Sequence, residues 1–195
     1  MNVVMVDAGG ANTGSVRYAL QRLGVEAELT SAADAIRRAG RVILPGVGVA
    51  ARGMARLRES GLVDALRSLT QPVLGVCLGM QLLCAHSDEG DVDCLGVIDV
   101  PVRRFDDPGV RVPHMGWNRV TACTAHPLCA GDAGEGWAYF VHSHAVPVCA
   151  ATLATCEYGG VFSAAVGQGN FMGVQFHPER SAALGMSVLR NFLAA

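Results

Sequence analysis

Cys77 stands where two sequence patterns meet. Val73 to Val76 is a short apolar run of the kind that makes a buried strand, and Leu78-Gly-Met-Gln-Leu-Leu83 continues with helical spacing. A sharp strand-to-helix turn projects one side chain into a cleft and sets the helix N-terminus behind it. That end of a helix favours negative charge, which suits a thiolate. Glycines at 75 and 79 give the backbone room for the turn. A lone cysteine is more often just a buried one, so the nucleophile reading depends on what the rest of the chain supplies.

It supplies a base. In Gln175-Phe-His-Pro-Glu-Arg-Ser181, His177 follows an apolar strand and should emerge at its carboxyl end, where open α/β sheets bind ligands. A thiol nucleophile needs a histidine, and the histidine needs a group that fixes its tautomer. Glu179 lies two residues on, with Pro178 stiffening the turn. Cys77, His177 and Glu179 thus form a triad in that order. The plainer reading is a strand-end histidine beside a surface acid. A third segment, Leu44-Pro-Gly-Val-Gly48, also ends a strand and should reach the same rim. Thioester chemistry creates an oxyanion, and each backbone N–H aimed at it is worth roughly 3 kcal/mol. Leu78, just after the nucleophile, and Val47, in the glycine-flanked loop, are the natural donors; alone, Pro-Gly would mean only a strand-ending turn.

These segments need a sheet to carry them. The first half alternates strand-like runs (Val3 to Val6, Ala27 to Leu29, Arg41 to Leu44, 73–76) with helical patterns. Asn12 or Thr13 can cap the first helix, which carries Val16, Ala19, Leu20 and Leu23, and Ser31 a short one reaching Arg38. Further helical patterns surround Met54 to Leu57 and run from Leu62 to Leu69. Such alternation implies a parallel sheet covered on both faces. The second half reads as strands with short links: Val97 to Val102, Trp117 to Thr121, Ala138 to His142, Thr152 to Tyr158, Phe162 to Val166 and Phe171 to Phe176. A helix from Leu184 to Leu193 closes the chain. The acidic stretch from Asp88 to Asp93 reads as a solvated loop.

The 195 residues suit one domain spanning 1–195, and 51% hydrophobic content suits a large buried sheet. A net charge of −2 with no basic run argues against nucleic acid as the main partner. Seven scattered cysteines without Cys-x-x-Cys spacing do not form a disulfide framework or a metal-ligand cluster. No apolar run approaches the roughly 20 residues of a membrane span, and the N-terminus lacks signal-peptide organisation. A reducing cytoplasm is the expected compartment, and no metal or cofactor is expected.

Cys77-Leu-Gly-Met-Gln-Leu-Leu83 together with His177-Pro-Glu179 resembles the class I, or triad, glutamine amidotransferases. The resemblance implies a flavodoxin-like mixed sheet, central parallel strands with helices on both faces and antiparallel additions. It implies hydrolysis of L-glutamine through a cysteinyl thioester, with ammonia passed to a synthase. Pro45-Gly-Val-Gly48, Val112-Pro-His-Met-Gly-Trp-Asn118, Tyr139-Phe-Val-His-Ser143 and Gly173-Val-Gln-Phe-His-Pro-Glu179 are similar to one branch, the glutaminases of imidazole glycerol phosphate synthesis. That branch implies a heterodimer with a (β/α)8-barrel cyclase. It implies Cys77 as nucleophile, His177 as base and then acid, Glu179 as its orienter, and Val47 and Leu78 as the oxyanion hole. Gly48, Gln81, His142 and Ser143 would hold glutamine. Asn12, Met115, Trp117, Asn118 and Arg180 would meet the partner. Ala8 and His144 depart from the usual pattern, and His144 lacks the neighbouring acid that His177 has in sequence.

Other readings remain open on the sequence. The same glutaminase chemistry could serve pyridoxal phosphate, anthranilate or purine synthesis. The fold could carry a cysteine peptidase or esterase-like hydrolase, or a binding module in which Cys77 is merely buried.

Overall fold

The computed structural model describes residues 2–8 and 13–195. The first half runs β1 (Val3–Val6), α1 (Thr13–Arg22), β2 (Ala27–Thr30), α2 (Ala33–Arg38), β3 (Arg41–Gly46), α3 (Ala50–Glu59), α4 (Val63–Arg67), β4 (Val73–Cys77) and α5 (Leu78–Leu83). The second half is mostly strand: β5 (Cys84–Ser87), β6 (Val92–Asp93), β7 (Ile98–Arg104), β8 (His114–Ala122), β9 (Glu135–His142), β10 (His144–Pro147), β11 (Thr152–Glu157), β12 (Val161–Gln168) and β13 (Phe171–Val174). Helix α6 (Ala182–Ala194) ends it.

Strands β2, β1, β3, β4 and β13 lie side by side in that order, all parallel. Strand β12 adds antiparallel to β13. Beyond it one arm continues through β10, β7, β5 and β6, and another through β11, β8 and β9. Its parallel core is the sheet that the alternation in the first half implied, and its antiparallel strands are the additions that the family resemblance implied.

Unbroken apolar runs make the central strands because both their faces are covered. In β1, Val3 and Met5 face one core and Val4 and Val6 the other. The first core takes Val16 and Leu20 of α1 and Val188, Leu189 and Phe192 of α6. The second takes Ile36 of α2, Met54 and Leu57 of α3, Leu66 of α4 and Leu78 and Leu82 of α5. Among the described residues no helix is long and apolar enough to cross a membrane.

The structure differs from the sequence reading in three places. Ser31 does not cap α2; its N-cap is Ala32, whose N–H is bonded instead by the Thr30 hydroxyl at 3.1 Å. Thr30 closes the turn locally, as short hydroxyl side chains do. Strands β5, β6 and β10 were not foreseen. They are short, and their polar residues hide the alternation that marks a strand. The acidic stretch from Asp88 to Asp93 is not wholly solvated, since Val92–Asp93 pairs with β5 and Glu89 turns inward. The helix-cap reading at Asn12 lies outside the described residues.

Candidate active site

Three neighbouring parallel strands bring the site together. Gly46 at the end of β3 is level with Cys77 at the end of β4, and Val76 is level with Val174 in β13. The 46–48 loop, Cys77 and the 175–179 segment therefore leave the sheet side by side at its carboxyl edge. Cys77 has φ 54° and ψ −112°. A side chain held in this sparsely populated region costs roughly 1–3 kcal/mol. Helix α5 starts at the very next residue, so the chain turns from strand to helix without a linker.

His177 and Cys77 line the same cavity, and Cys77 is one of the groups that raise the His177 pKa. The His177 Nδ1 lies 2.9 Å from Glu179 Oε1, and the Glu179 side chain is fully covered. A carboxylate at Nδ1 requires a proton there, which leaves Nε2 to face the sulfur. Burial alone pushes the His177 pKa down. Its hydrogen bonds to Cys77 and to Glu179, with the charges of both, outweigh burial and push it up to about 10. The backbone here is clamped too. The His177 N–H donates to the Tyr139 carbonyl at 2.9 Å. The buried Ser181 hydroxyl accepts the Tyr139 N–H at 2.9 Å and donates to the His177 carbonyl at 2.7 Å.

A cavity of about 140 Å³ opens beside the sulfur. It is lined by Cys77, Leu78 and His177, by the loop residues Val47 and Gly48, and by Gln81, His142, Ser143 and His144. Gly48 takes φ 103°, where a side chain would be strained. Gln81 is buried, and its Nε2 donates to the His144 carbonyl at 3.0 Å and to Gln175 Oε1 at 2.9 Å. Its Oε1 is thus the atom left for a ligand.

His142 lines the cavity as expected, but its ring is tied to the protein. Its Nδ1 bonds the His144 carbonyl at 2.8 Å and its Nε2 bonds His114 Nδ1 at 3.0 Å. Neither ring nitrogen is left for a substrate, so the ring is wall rather than ligand. Burial is the first cause of its pKa falling to about 3, and burial lowers that of His114 to about 4. Both rings are therefore neutral at neutral pH.

His144 does have an acid beside it, contrary to the sequence reading: Glu89 Oε1 lies 3.6 Å from its Nδ1. Burial lowers the His144 pKa more than Glu89 raises it. Glu89 was missed altogether. Its Oε2 accepts the Ala50 N–H at the start of α3 at 3.0 Å, and its carboxylate lines the cavity. Gln175 and His114 were also missed as site residues.

The expected partner residues divide. Met115 and Trp117 alternate outward on β8 and are 63% and 51% exposed. The Trp117 ring meets Tyr139 edge-on at 6.0 Å, and the exposed Arg180 guanidinium lies 5.2 Å from the Tyr139 ring centre. Trp137, 61% exposed on the paired strand, extends this face and was not foreseen. Asn118 points the other way. Its amide donates to the Glu157 carbonyl at 2.8 Å and to His114 Nε2 at 3.3 Å. Period-two alternation explains this, because 118 cannot share a face with both 115 and 117. Asn12 lies outside the described residues. Among those residues no group of three His, Cys, Asp or Glu could hold a metal ion.

A strained cysteine at a strand-to-helix turn, with a histidine and a covered carboxylate just after the next strand, is the arrangement that a cysteine–histidine–carboxylate triad would need. Residues 4–195 match the family described as glutamine amidotransferase class-I, and the chain belongs to that family. It is 57% identical over 98% of its length to the imidazole glycerol phosphate synthase subunit HisH of Xylella fastidiosa (strain Temecula1 / ATCC 700964), covering 96% of that protein. It is 54% identical, with the same coverage, to the HisH subunit of Xanthomonas campestris pv. campestris (strain 8004). A crystal structure of a glutamine amidotransferase superposes with a TM-score of 0.77 at 22% identity, covering 99% of this chain and 98% of that one, a likeness of fold.

Proposed function

We propose that this chain is the glutaminase subunit of an imidazole glycerol phosphate synthase. The observation that carries the reading is Cys77, strained at its turn, sharing a cavity of about 140 Å³ with His177, whose Nδ1 is 2.9 Å from Glu179. Identities of 54–57% over 98% of the chain to subunits of that synthase support the choice of pathway.

The chemistry follows from the placement. His177 Nε2 takes the Cys77 proton, and the sulfur attacks the side-chain amide carbon of glutamine. The backbone N–H groups of Leu78 and Val47 hold the oxyanion. The proton on His177 passes to the leaving nitrogen, which departs as ammonia, and a thioester remains. Water, deprotonated by His177, opens the thioester and releases glutamate. Glu179 holds the ring through both steps. At the far end, Glu89 offers negative charge to the substrate ammonium, and Gln81 Oε1 an acceptor. Gly48 and Ser143 flank the same end.

Ammonia released into water would be lost, mostly as ammonium. The exposed face of Met115, Trp117 and Tyr139 adjoins Val141, which lines the cavity. A cyclase subunit, a (β/α)8 barrel with its active site at the carboxyl ends of its strands, would dock there. The loop at Val47 would turn its N–H inward to complete the oxyanion hole only in the loaded complex.

Copurification with a cyclase tests the reading. Expected is a complex whose glutamine-dependent reaction is abolished by Cys77→Ala while its ammonia-dependent reaction persists. Alone, the subunit should be a poor glutaminase. Capture of a synthase from another pathway would overturn the assignment.

A further inference from the structure

Gln175 is wholly buried and sits one residue beyond β13. Because Val174 is level with Val76, Gln175 is level with Cys77 on the neighbouring strand. Its Nε2 is 3.8 Å from the Cys77 sulfur, within the longer reach of sulfur hydrogen bonds. We propose that Gln175 is a further catalytic residue, an N–H donor that holds the sulfur's negative charge whenever Cys77 is a thiolate. This deepens the glutaminase reading and rests on it.

Which end of the Gln175 amide faces the sulfur is fixed by a chain of hydrogen bonds. The His144 carbonyl can only accept, and it accepts from Gln81 Nε2 at 3.0 Å. Gln81 Nε2 then donates to Gln175 Oε1 at 2.9 Å. With its oxygen so used, Gln175 has only its nitrogen to present to Cys77. A flipped amide would set two N–H groups against each other at that distance. The same carbonyl also orders the histidines. It accepts from His142 Nδ1, so His142 Nε2 is bare and accepts from His114 Nδ1 at 3.0 Å. His114 Nε2 accepts in turn from Asn118. Both rings are neutral in this arrangement, so neither brings a charge that would compete for the sulfur.

Gln175 exchanges no proton and forms no bond to substrate. When the Cys77 proton moves to His177, the sulfur gains an electron pair and loses its donor hydrogen. In the thiol state the sulfur is 3.8 Å from the Val141 carbonyl, which can accept from S–H but offers nothing to a thiolate. Gln175 supplies what that carbonyl lacks. The need arises twice, when the thiolate forms and when it leaves the thioester. Hydrogen bonding to the charged form favours that form.

Iodoacetamide alkylation of Cys77, followed by peptide mass spectrometry between pH 5 and 9, tests this without glutamine turnover. The charged and titratable groups facing the sulfur's surroundings are His177 and Glu179 after β13, His142 and His144 from β9 and β10, and Glu89 across the cavity. All are retained in the variants. Gln175→Met keeps length and removes the donor. It should slow Cys77 alkylation about 10-fold below neutral pH and move the half-maximal point to higher pH. Gln175→Glu, which sets a carboxylate against the sulfur, should slow it further. Exposed Cys123 is the internal standard and should not change. If one variant does not fold, as judged by circular dichroism, the other decides. An unchanged Cys77 profile in a folded variant overturns the proposal. If the wild-type complex fails to hydrolyse glutamine while Gln175 still governs Cys77 alkylation, the glutaminase reading fails and the donor role stands.

Discussion

The Leu44 carbonyl oxygen occupies the space beside Gly79 so fully that a Cβ on residue 79 would lie 1.7 Å from it. Leu44 lies in β3 just ahead of the loop that carries Val47 and Gly48, and Gly79 is the second residue of the helix behind the nucleophile. Their contact sets how close the loop stands to Cys77. Gly79→Ala must push strand and helix apart, because the obstacle is backbone and not a flexible side-chain end. A clash of this kind costs about 3 kcal/mol, which corresponds to roughly 6–12 °C in melting temperature for a chain of this size. Thermal unfolding followed by circular dichroism reads it. An unchanged midpoint would mean that the helix does not lie so close.

Glu179 acts through His177. With its side chain covered and its Oε1 2.9 Å from Nδ1, it is one of the partners that raise the His177 pKa. Glu179→Gln retains an oxygen acceptor and loses the charge. In the wild type the folded pKa, about 10, lies above the ordinary histidine value. The associated stability is therefore complete below about pH 6.5 and is lost as pH rises through the folded value. In Glu179→Gln the ring should titrate lower by NMR, and the stability lost between neutral and alkaline pH should shrink. Glutamine hydrolysis by the complex should fall roughly 100-fold. An unmoved titration would show that Cys77 alone sustains the shift.

What could be read from the chain was local. Cys77 and the His177-Pro-Glu179 turn each carry their own signal, an apolar strand ending in a reactive side chain, and the parallel sheet then sets them side by side. Glu89 carried no such signal, because one acid in an acidic run looks like its neighbours until α3 is seen to place Ala50 against it. Gln175 looked like a strand residue. Only the pairing of β13 with β4 sets it level with Cys77. The opposite facing of Asn118 and Trp117 was legible in principle from strand alternation, but the motif was read as one surface. Short β5, β6 and β10 depend on pairing within one arm of the sheet and leave no periodicity to detect.

The His114 and His142 pair should make the protein sensitive to mild acid. Burial holds both pKa values well below the ordinary histidine range, His142 at about 3 and His114 at about 4. The unfolded chain takes up these protons near pH 6.5 and the folded one does not, so stability falls as pH drops from about 6.5 toward 4. At pH 5, before most carboxylates titrate, unfolding should take up about two more protons than at pH 8 through this pair. Melting temperatures measured from pH 8 to 5 read the slope. His114→Gln, which can still bond His142, should reduce it, and an identical slope would assign the acid sensitivity elsewhere.

Trp117 separates docking from folding. Half of its surface is exposed, and its aromatic contact is to Tyr139 on the paired strand. Truncation in the isolated chain removes only that partial packing, so the melting temperature of Trp117→Ala should fall by no more than about 3 °C. In the complex the same ring would be desolvated beside Met115 and Tyr139, where a tryptophan anchor is commonly worth about 2 kcal/mol or more. Affinity for the cyclase, measured by titration calorimetry, should therefore drop at least roughly 30-fold. Trp137 extends the face one strand pair further along, opposite Arg119. If docking centres on the cavity near Val141, Trp137→Ala should weaken binding less than Trp117→Ala. A larger loss at Trp137 would move the centre of the interface away from the cavity and remove the geometric case for direct ammonia transfer.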